Sequence, residues 1–146
     1  MKILIINGPN LNFLGRRDAK YYGTETLEQI NQLISSKARE LELSVNFFQS
    51  NHEGSIIDFI QNNSDSHDGI IINAGALTHY GLSLADAIND TKIPTIEIHI
   101  SNIHAREEYR RKSVIAPLCI GQIAGFGSDG YTMALNFLAN LDLQEN

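Results

Sequence analysis

The chain has 146 residues, a length typical of one domain, and we expect residues 1–146 to form a single domain. Its hydrophobic fraction of 42% and charged fraction of 19% are those of a globular protein and exclude a disordered chain. A net charge of −6 argues against a nucleic-acid-binding protein. The first apolar run is shorter than a signal-peptide core, and no run approaches a membrane span. We therefore expect a cytoplasmic protein that binds neither nucleic acid nor membrane.

The first half of the chain alternates strand and helix patterns. Residues 2–7 contain an unbroken apolar run, which is typical of a strand in a parallel sheet covered on both faces. Thr26 is a predicted helix N-cap with Gln29 at capping-box spacing, and one apolar helical face continues to about residue 42. A second strand is predicted at residues 43–49, and a second helix begins at Gly54.

The second half repeats this alternation. Strands are predicted at residues 69–73, 95–100 and 119–124, and helices at about residues 82–89 and 128–140. Five strands separated by helical segments predict an α/β fold, a doubly wound five-stranded parallel sheet, because each crossover between parallel strands is right-handed.

Polar residues follow four of the five predicted strands. Ligands of doubly wound sheets bind beyond the carboxyl ends of the strands, so these segments sample the expected site. Seven of the 11 Lys and Arg residues lie in two short windows, which fits a small bound anion or, equally, two solvated surfaces. The four segments are residues 7–17, 49–54, 73–81 and 101–106.

The fourth strand carries the first candidate catalytic group. Its alternation places Glu97, His99 and Ser101 on one face, and a buried polar triplet is costly unless it is hydrogen-bonded or used. We expect Glu97 to orient the imidazole of His99, although a satisfied core histidine explains this strand equally well. Arg106 and Arg110 are four residues apart, so on a helix they would share a face and address one anion.

Tyr22 is the second candidate. A free phenol, with a pKa near 10, is a poor base at neutral pH, and a neighbouring cation such as Arg17 would stabilise the phenolate. Gly15 and Gly23 bracket the segment, as expected for a lid that moves. A surface loop on which two tyrosines pack is the simpler interpretation of the spacing alone.

Other interpretations of the sequence are weaker. The G-x-G-x-x-G motif at residues 125–130 lies in the last strand–helix unit, so no later strand can supply a ribose-binding acid. A phospho-receiver domain needs acidic residues where Asn7 and Asn73 stand. The single cysteine, Cys119, lies in an apolar stretch and is expected to be a buried small side chain.

A metal site is conceivable from ligand type but is opposed by the nearby arginines, whose charge would repel a dication. We therefore predict that neither a metal nor a nucleotide cofactor takes part. The candidate ligands are Glu97, His99, His79 and His104.

Several segments of the chain, in the same order, resemble the type II dehydroquinase family, the small dehydratases of the shikimate and quinate pathways. The resemblance extends from Ile3 to about Leu141 and is more specific than any single motif. It implies a flavodoxin-like α/β fold and an enzyme that works without a cofactor. The matching segments are residues 7–12, 14–17, 22–23, 49–54, 73–75, 77–79, 97–102, 104–108 and 110–111, with a Gly-rich closing segment at 121–131.

The resemblance also implies catalytic roles. Tyr22 corresponds to the base and Arg17 to the lid arginine that holds it as phenolate. His99 corresponds to the general acid, and Asn10 to the residue that holds a water against the enolate. The implied reaction is the anti elimination of water from 3-dehydroquinate to 3-dehydroshikimate. It agrees with the chemistry, since dehydrating a β-hydroxyketone needs a base, enolate stabilisation and an acid.

The remaining matches are substrate contacts and supporting residues. None of the five lysines is needed, which separates this route from Schiff-base chemistry. A catalytically silent binding module for a small carboxylate is the alternative. The implied contacts are Asn73, which also helps to orient His99, His79, Arg110 and the backbone of Ile100 and Ser101, with Glu97 as a supporting residue and Arg106 as a cation behind the site.

The family also implies an assembly and a pathway. We expect a homododecamer of four trimers in which Asp86 reaches a neighbouring subunit's site near the lid arginine. Aromatic amino-acid biosynthesis is expected rather than quinate breakdown. One departure concerns the lid, where Ala19 stands in place of the usual proline of an Arg-x-Pro sequence and removes a fixed φ.

Overall fold

A computed structural model describes residues 1–141 of the chain. All neighbouring strands pair in parallel, and the sheet has the order β2-β1-β3-β4-β5. This order is that of the flavodoxin-like doubly wound sheets, so the predicted fold class is confirmed. The strands are β1 (Lys2–Asn7), β2 (Ser44–Gln49), β3 (Gly69–Asn73), β4 (Thr95–His99) and β5 (Gly121–Ala124).

Helices cover both faces of the sheet. The second of them begins as predicted, because Thr26 and Gln29 form a complete capping box. The helices are α1 (Ala19–Tyr22), α2 (Leu27–Glu40), α3 (Glu53–Asn63), α4 (Leu82–Thr91) and α5 (Asp129–Ala139). Short 3₁₀ helices span Leu11–Phe13, Ser64–Ser66, Gly75–His79, Ile103–Ala105, Glu108–Arg111 and Ala116–Leu118.

Alternation along the strands divides the apolar residues between two cores. Ile3 and Ile5 of β1 pack on the face covered by α2 and α5, whereas Leu4 and Ile6 pack on the face covered by α3 and α4. Burying each such side chain contributes roughly 1.5–3 kcal/mol, so this alternation fixes the register of the central strands. No helix within residues 1–141 is long and apolar enough to span a bilayer.

Two predictions of local structure are wrong. Arg106 and Arg110 do not share a helix, because the backbone at Arg106 is extended and separates two 3₁₀ helices. The fifth strand begins at Gly121, two residues later than predicted, because the amide of Cys119 still closes a 3₁₀ turn on Ala116 O at 3.1 Å.

The lid segment (residues 15–23) contains a helix that the sequence patterns do not predict. The helix α1 is a single turn, and the side chain of Asp18 caps it by accepting a hydrogen bond from the amide of Lys20 at 3.0 Å. Gly15 and Gly23 have φ values of 90° and 67°, a left-handed conformation that glycine adopts without strain. Glycine is therefore required at both ends of the lid segment.

Candidate active site

A cleft of about 130 Å³ lies at the carboxyl ends of β1, β3 and β4, beside the lid segment. Only a small molecule fits a cleft of this size. Ten of the twelve residues predicted for the site line this cleft. They are Asn10, Arg17, Tyr22, Asn73, His79, His99, Ile100, Ser101, Arg106 and Arg110.

The predicted contact between Glu97 and His99 is present. His99 Nε2 lies 2.6 Å from Glu97 Oε1, and both side chains are buried. An ionised carboxylate only accepts hydrogen bonds, so Nε2 carries the hydrogen of this pair. His99 Nδ1 has no hydrogen-bond partner among residues 1–141 and is therefore the ring nitrogen available to a ligand in the cleft.

Glu97 is held as a carboxylate by its surroundings. Ser113 Oγ donates to Oε2 at 2.9 Å, and Thr78 Oγ1 also donates to Glu97. Burial alone would raise the pKa of Glu97, but the hydrogen bonds from three side chains outweigh burial and lower the pKa below its ordinary value of 4.5. The negative charge is therefore retained next to His99 at neutral pH.

Tyr22 lies between two arginine side chains. Arg106 Nη1 donates to the phenolic oxygen at 2.8 Å, and Arg17 Cζ lies 3.7 Å from the centroid of the ring. The side chain of Arg106 is only 7% exposed, so solvent screens its charge weakly. The sequence suggested a cation behind the site, whereas Arg106 contacts the phenol directly. Two guanidinium groups therefore lie against the phenol, one at its oxygen and one on its ring.

Asn10 occupies a strained position on the loop after β1. Its φ of 70° lies in the left-handed region that asparagine tolerates better than most residues. The backbone amide of Asn10 donates a hydrogen bond to Asn51 Oδ1 at 2.9 Å. Gly8 supports the same loop, because a Cβ there would lie 2.4 Å from Ala74 O of the chain after β3. The two loops can meet in this way only with glycine at position 8.

His79 has a defined tautomer. Its Nδ1 lies 2.7 Å from the carbonyl oxygen of Lys112, and a carbonyl only accepts hydrogen bonds, so Nδ1 carries a hydrogen. In the neutral ring, Nε2 is then an acceptor that suits a ligand hydroxyl. The ring packs edge-on against Tyr109, with centroids 6.2 Å apart, which limits its rotation.

Asn73 is tied to residues below the cleft. Its Nδ2 donates to the hydroxyl of Tyr131 at 3.4 Å, and its Oδ1 accepts from the amide of Gly75 at 3.2 Å. Tyr131 in turn donates to Asn7 Oδ1 at 2.5 Å. The resemblance implied that Asn73 helps to orient His99. Within residues 1–141, however, the side chain of Asn73 bonds Tyr131 and Gly75, and the ring of His99 bonds Glu97.

The turn after β4 offers backbone and cationic groups to an anion. Ile100 and Ser101 line the cleft, and Ser101 Oγ accepts from Arg106 Nη1 at 3.1 Å. Arg110 is held by Glu107, whose Oε2 lies 2.7 Å from Arg110 Nε. The cleft therefore combines fixed guanidinium groups with a carboxyl-terminal strand turn, a combination that suits a carboxylate ligand.

The G-x-G-x-x-G motif has a structural role. Gly125 and Gly127 have φ values of 94° and 59°, and their amides donate to His99 O and Ile100 O at the end of β4. These turns lead into α5, as predicted from the sequence. Neither residue lines the cleft.

Asp86 is the predicted site residue that lies apart from the cleft. It is exposed on α4 and does not line the cleft. The residues that the sequence reasoning missed are Thr78, Ser113, Tyr131 and Asn7. Three of them are hydroxyl side chains without distinctive spacing. Three of the four, Thr78, Asn7 and Tyr131, nevertheless lie inside the matching segments 77–79, 7–12 and 121–131.

Two further expectations concern metals and the cysteine. Within the described residues 1–141, no three His, Cys, Asp or Glu side chains are grouped to hold a metal ion. Burial raises the pKa of the Cys119 thiol to about 12, which keeps it protonated at neutral pH. Cys119 therefore lacks the character of a nucleophile, although its side chain is half-buried and not fully buried as the sequence predicted.

Comparisons with known proteins identify the family of the chain. The family model described as dehydroquinase class II matches residues 1–139. A protein of Clostridium perfringens named 3-dehydroquinate dehydratase is 56% identical over 141 residues, covering 96% of this chain and 98% of that one. A protein of the same name from Halothermothrix orenii is 51% identical over 140 residues, covering 96% and 95%.

Solved structures give the same result. The type II dehydroquinase of Butyrivibrio crossotus matches with a TM-score of 0.93 at 49% identity, covering 94% of this chain and 97% of that one. The enzyme of Propionibacterium acnes matches with a TM-score of 0.93 at 41% identity, covering 96% and 97%.

A cleft with a histidine–carboxylate pair at the carboxyl ends of a flavodoxin-like sheet defines an α/β enzyme that acts on a small molecule. The chain belongs to the class II dehydroquinase family and is a dehydratase. The family resemblance inferred from the sequence is thereby confirmed.

Proposed function

We propose that the chain catalyses the anti elimination of water from 3-dehydroquinate, giving 3-dehydroshikimate through an enolate. The observation that supports this most strongly is the coexistence, in one cleft, of a phenol between two guanidinium groups and a histidine backed by a buried carboxylate. The first is suited to remove a proton and the second to deliver one.

Tyr22 acts as the base in this proposal. A phenolate at Tyr22 removes a proton from the carbon next to the substrate ketone and becomes a neutral phenol. Arg106 lies 2.8 Å from the phenolic oxygen and Arg17 is stacked on the ring, so both cations lie beside the oxygen that acts as the base. General-base catalysis of this kind contributes about 10²–10⁴-fold in rate.

The electrons of the broken C–H bond move onto the ketone oxygen to form an enolate. Asn10 lines the cleft and is the residue proposed to hold a water against that oxygen. Donors fixed at the position where charge develops lower the barrier, because they need little reorganisation during the step. The hydrogen bond from the amide of Asn10 to Asn51 supports this role by fixing the loop.

His99 acts as the general acid. The enolate collapses, the bond to the β-hydroxyl breaks, and a proton from His99 converts the leaving hydroxide into water. The ring delivers this proton from Nδ1, because Nε2 is bonded to Glu97. The carboxylate of Glu97 accepts the hydrogen of Nε2 and so holds the ring with Nδ1 available to the cleft. The elimination conserves protons because Tyr22 gains one and His99 loses one, and transfer of a proton from Tyr22 to His99 through solvent returns the starting state.

Substrate recognition rests on the other lining residues. We propose that the substrate carboxylate binds the backbone of Ile100 and Ser101, while Arg110, His79 and Asn73 bind hydroxyl groups. In the neutral ring Nε2 of His79 is an acceptor, which matches a hydroxyl donor. All of these residues line the cleft.

The experiment that tests the function is an absorbance assay. The product is a conjugated enone, so mixing the purified protein with 3-dehydroquinate should raise the near-ultraviolet absorbance. The rise should survive exhaustive chelation and dialysis, because no metal or cofactor is proposed. Binding heat in calorimetry without any rise would instead favour a catalytically silent carboxylate-binding module. Loss of activity on chelation, restored by one added dication, would contradict the metal-free mechanism.

We also propose a homododecamer of four trimers, located in the cytoplasm. Asp86 supports the assembly because it is exposed and outside the cleft of its own chain, as expected for a residue that reaches a neighbour's site. We propose a role in aromatic amino-acid biosynthesis rather than in quinate breakdown. Restored growth of a dehydratase-deficient strain without aromatic amino acids tests that role.

A further inference from the structure

Tyr131 of α5 carries a buried hydroxyl that the proposed mechanism does not use. Its ring is fully buried in the core between α5 and the sheet, where it packs with Ile71 and Ile98 among others. The hydroxyl reaches the carboxyl ends of β1 and β3 and bonds the side chains of Asn7 and Asn73. The hydroxyl therefore contacts a residue that lines the cleft, which suggests a functional role for it.

The geometry of the two strands explains why one hydroxyl meets both amides. Asn7 and Asn73 are register partners on the parallel strands β1 and β3, so their side chains leave the same face of the sheet. Each is the last residue of its strand, and both are buried. Asn73 lines the cleft, whereas Asn7 does not. Tyr131 therefore links a residue of the site to one outside it.

The hydrogen-bond roles are fixed by chemistry. The Tyr131 hydroxyl has one proton, and that proton is donated to Asn7 Oδ1, which can only accept. Toward Asn73, the phenolic oxygen is thus an acceptor, and it receives the amide hydrogen of Nδ2 at 3.4 Å. Burial raises the pKa of Tyr131 far above its ordinary value, so the hydroxyl stays protonated at every pH relevant to catalysis.

The amide of Asn73 is consequently held at both ends. Nδ2 faces the acceptor on Tyr131, and Oδ1 faces the amide donor of Gly75 at 3.2 Å. Rotating the amide by half a turn would oppose donor to donor at Gly75 and leave the phenolic oxygen without its donor. One hydrogen of Nδ2 and one lone pair of Oδ1 remain for a ligand, each in a defined direction.

We propose that Tyr131 is a positioning residue, whose hydroxyl fixes the amide of Asn73 in the orientation that binds a substrate hydroxyl. This inference rests on the proposed function, in which Asn73 contacts the substrate. Tyr131 does not touch the substrate and acts only through Asn73. Asn7 has a part in this positioning, because Asn7 Oδ1 accepts the hydrogen bond from the phenol. The phenol therefore cannot donate that hydrogen to Asn73.

The test is a double-mutant cycle with Tyr131→Phe and Asn73→Ala. Tyr131→Phe keeps the ring and should lower kcat/KM by about 3- to 10-fold, the range for one neutral hydrogen bond. The division of the loss between kcat and KM should match that of Asn73→Ala. The double variant should be no worse than Asn73→Ala alone, since the phenol acts through that amide. Multiplying effects would overturn the inference.

Thr95→Val is the matched control for losing a buried hydroxyl. Thr95 lies at the amino end of β4, where its Oγ1 donates to Ile93 O at 3.2 Å, far along the strand from the cleft. Its kcat/KM should equal that of the wild type. A loss in Thr95→Val equal to that in Tyr131→Phe would overturn the inference, because it would reflect core stability alone.

Two further measurements keep the inference testable if Tyr131→Phe does not fold or if the wild type is inactive. If Tyr131→Phe does not fold, Asn7→Ala should show the same loss of kcat/KM, because it frees the phenolic proton; wild-type kcat/KM in Asn7→Ala would overturn the inference. If the wild type does not turn over 3-dehydroquinate, the proposed function fails separately. A crystal structure of whichever variant folds then decides, since an unchanged Asn73 amide would refute the positioning role and a rotated or disordered one would support it.

Discussion

Arg106 donates a hydrogen bond from Nη1 to the phenolic oxygen of Tyr22 at 2.8 Å, although the two residues are 84 positions apart in the sequence. The same nitrogen lies 3.1 Å from Ser101 Oγ at the end of β4. The guanidinium thus joins the lid segment to the sheet. Any movement of the lid segment that breaks this bond also separates the proposed base from its cation.

Replacing Arg106 tests this relationship. Arg106→Ala should lower kcat by about 10- to 150-fold, because a hydrogen bond to a charged group contributes about 1.5–3 kcal/mol. Steady-state kinetics provides the measurement. Arg111→Ala is the control, since Arg111 is exposed and does not line the cleft. Equal kcat values for the wild type and Arg106→Ala would show that Arg106 has no part in catalysis.

Tyr22→Phe removes the proposed base without changing the ring. We expect kcat to fall by at least about 100-fold, the lower limit for loss of a general base, while circular dichroism remains that of the wild type. Arg17→Lys should also be severe, because an ammonium cannot reproduce the stacking of a planar guanidinium. Tyr80→Phe, at a tyrosine that is 64% exposed, should be neutral. Near wild-type turnover in Tyr22→Phe would rule out this base.

The buried carboxylate of Glu97 should affect stability as pH falls. Its pKa is lowered in the folded chain, so its stabilising contribution is present above about pH 4.5, the ordinary value, and is lost as the pH falls through the folded pKa. Glu97→Gln should be less stable than the wild type at pH 7, and the gap in unfolding free energy should narrow below pH 4.5. Urea unfolding across this range measures the gap.

A second variant tests the same prediction by removing one of the hydrogen bonds to Glu97. Ser113→Ala removes one donor to Glu97, so the folded pKa should rise toward the ordinary value. The loss of stability on acidification should then be smaller than in the wild type and should be complete at a higher pH. A gap between wild type and Glu97→Gln that stays constant over the whole pH range would show that Glu97 does not titrate as the buried contacts imply.

The residues that could be predicted from sequence are those marked by local pattern. Strand alternation placed Glu97 and His99 on one face, and the two side chains are in contact. Capping-box spacing located the start of α2 at Thr26. These features depend on residues a few positions apart, where backbone geometry alone decides which side chains meet.

The residues that could not be predicted depend on tertiary packing. The contact between Arg106 and Tyr22 requires the lid segment to fold against the turn after β4, and no spacing encodes it. Ser113 and Tyr131 are ordinary hydroxyl residues until the fold brings them to Glu97 and Asn73. The spacing of Arg106 and Arg110 suggested a shared helical face, but the backbone at Arg106 is extended and the two residues do not lie on one helix.

The missing lid proline gives a prediction about stability. Ala19 is the first residue of α1, a position where proline is common, and its backbone amide makes no hydrogen bond within residues 1–141 that proline would remove. Asp18 before it has a ψ of 111°, close to the range preferred before proline. Ala19→Pro should therefore raise the unfolding free energy by about 0.4–1 kcal/mol without lowering kcat/KM. Ala19→Gly should shift stability the opposite way. Destabilisation by proline would show that the turn is incompatible with it.

The proposed assembly is tested by mass. Light scattering should give about twelve times the chain mass of 16.2 kDa, and a stable monomer would refute the dodecamer.

Asp86 is tested separately, because its exposure on α4 leaves it free to contact a neighbouring subunit. Asp86→Ala should weaken substrate binding and loosen the lid segment while preserving the assembly, since the carboxylate is proposed to act near a neighbour's Arg17. Calorimetry measures the affinity, and limited proteolysis between Gly15 and Gly23 reports on the lid segment. Asp90→Ala, an exposed carboxylate four residues further along α4, is the matched control and should leave both readouts unchanged. Unaltered affinity and proteolysis in Asp86→Ala would remove Asp86 from the shared site while leaving the dodecamer intact.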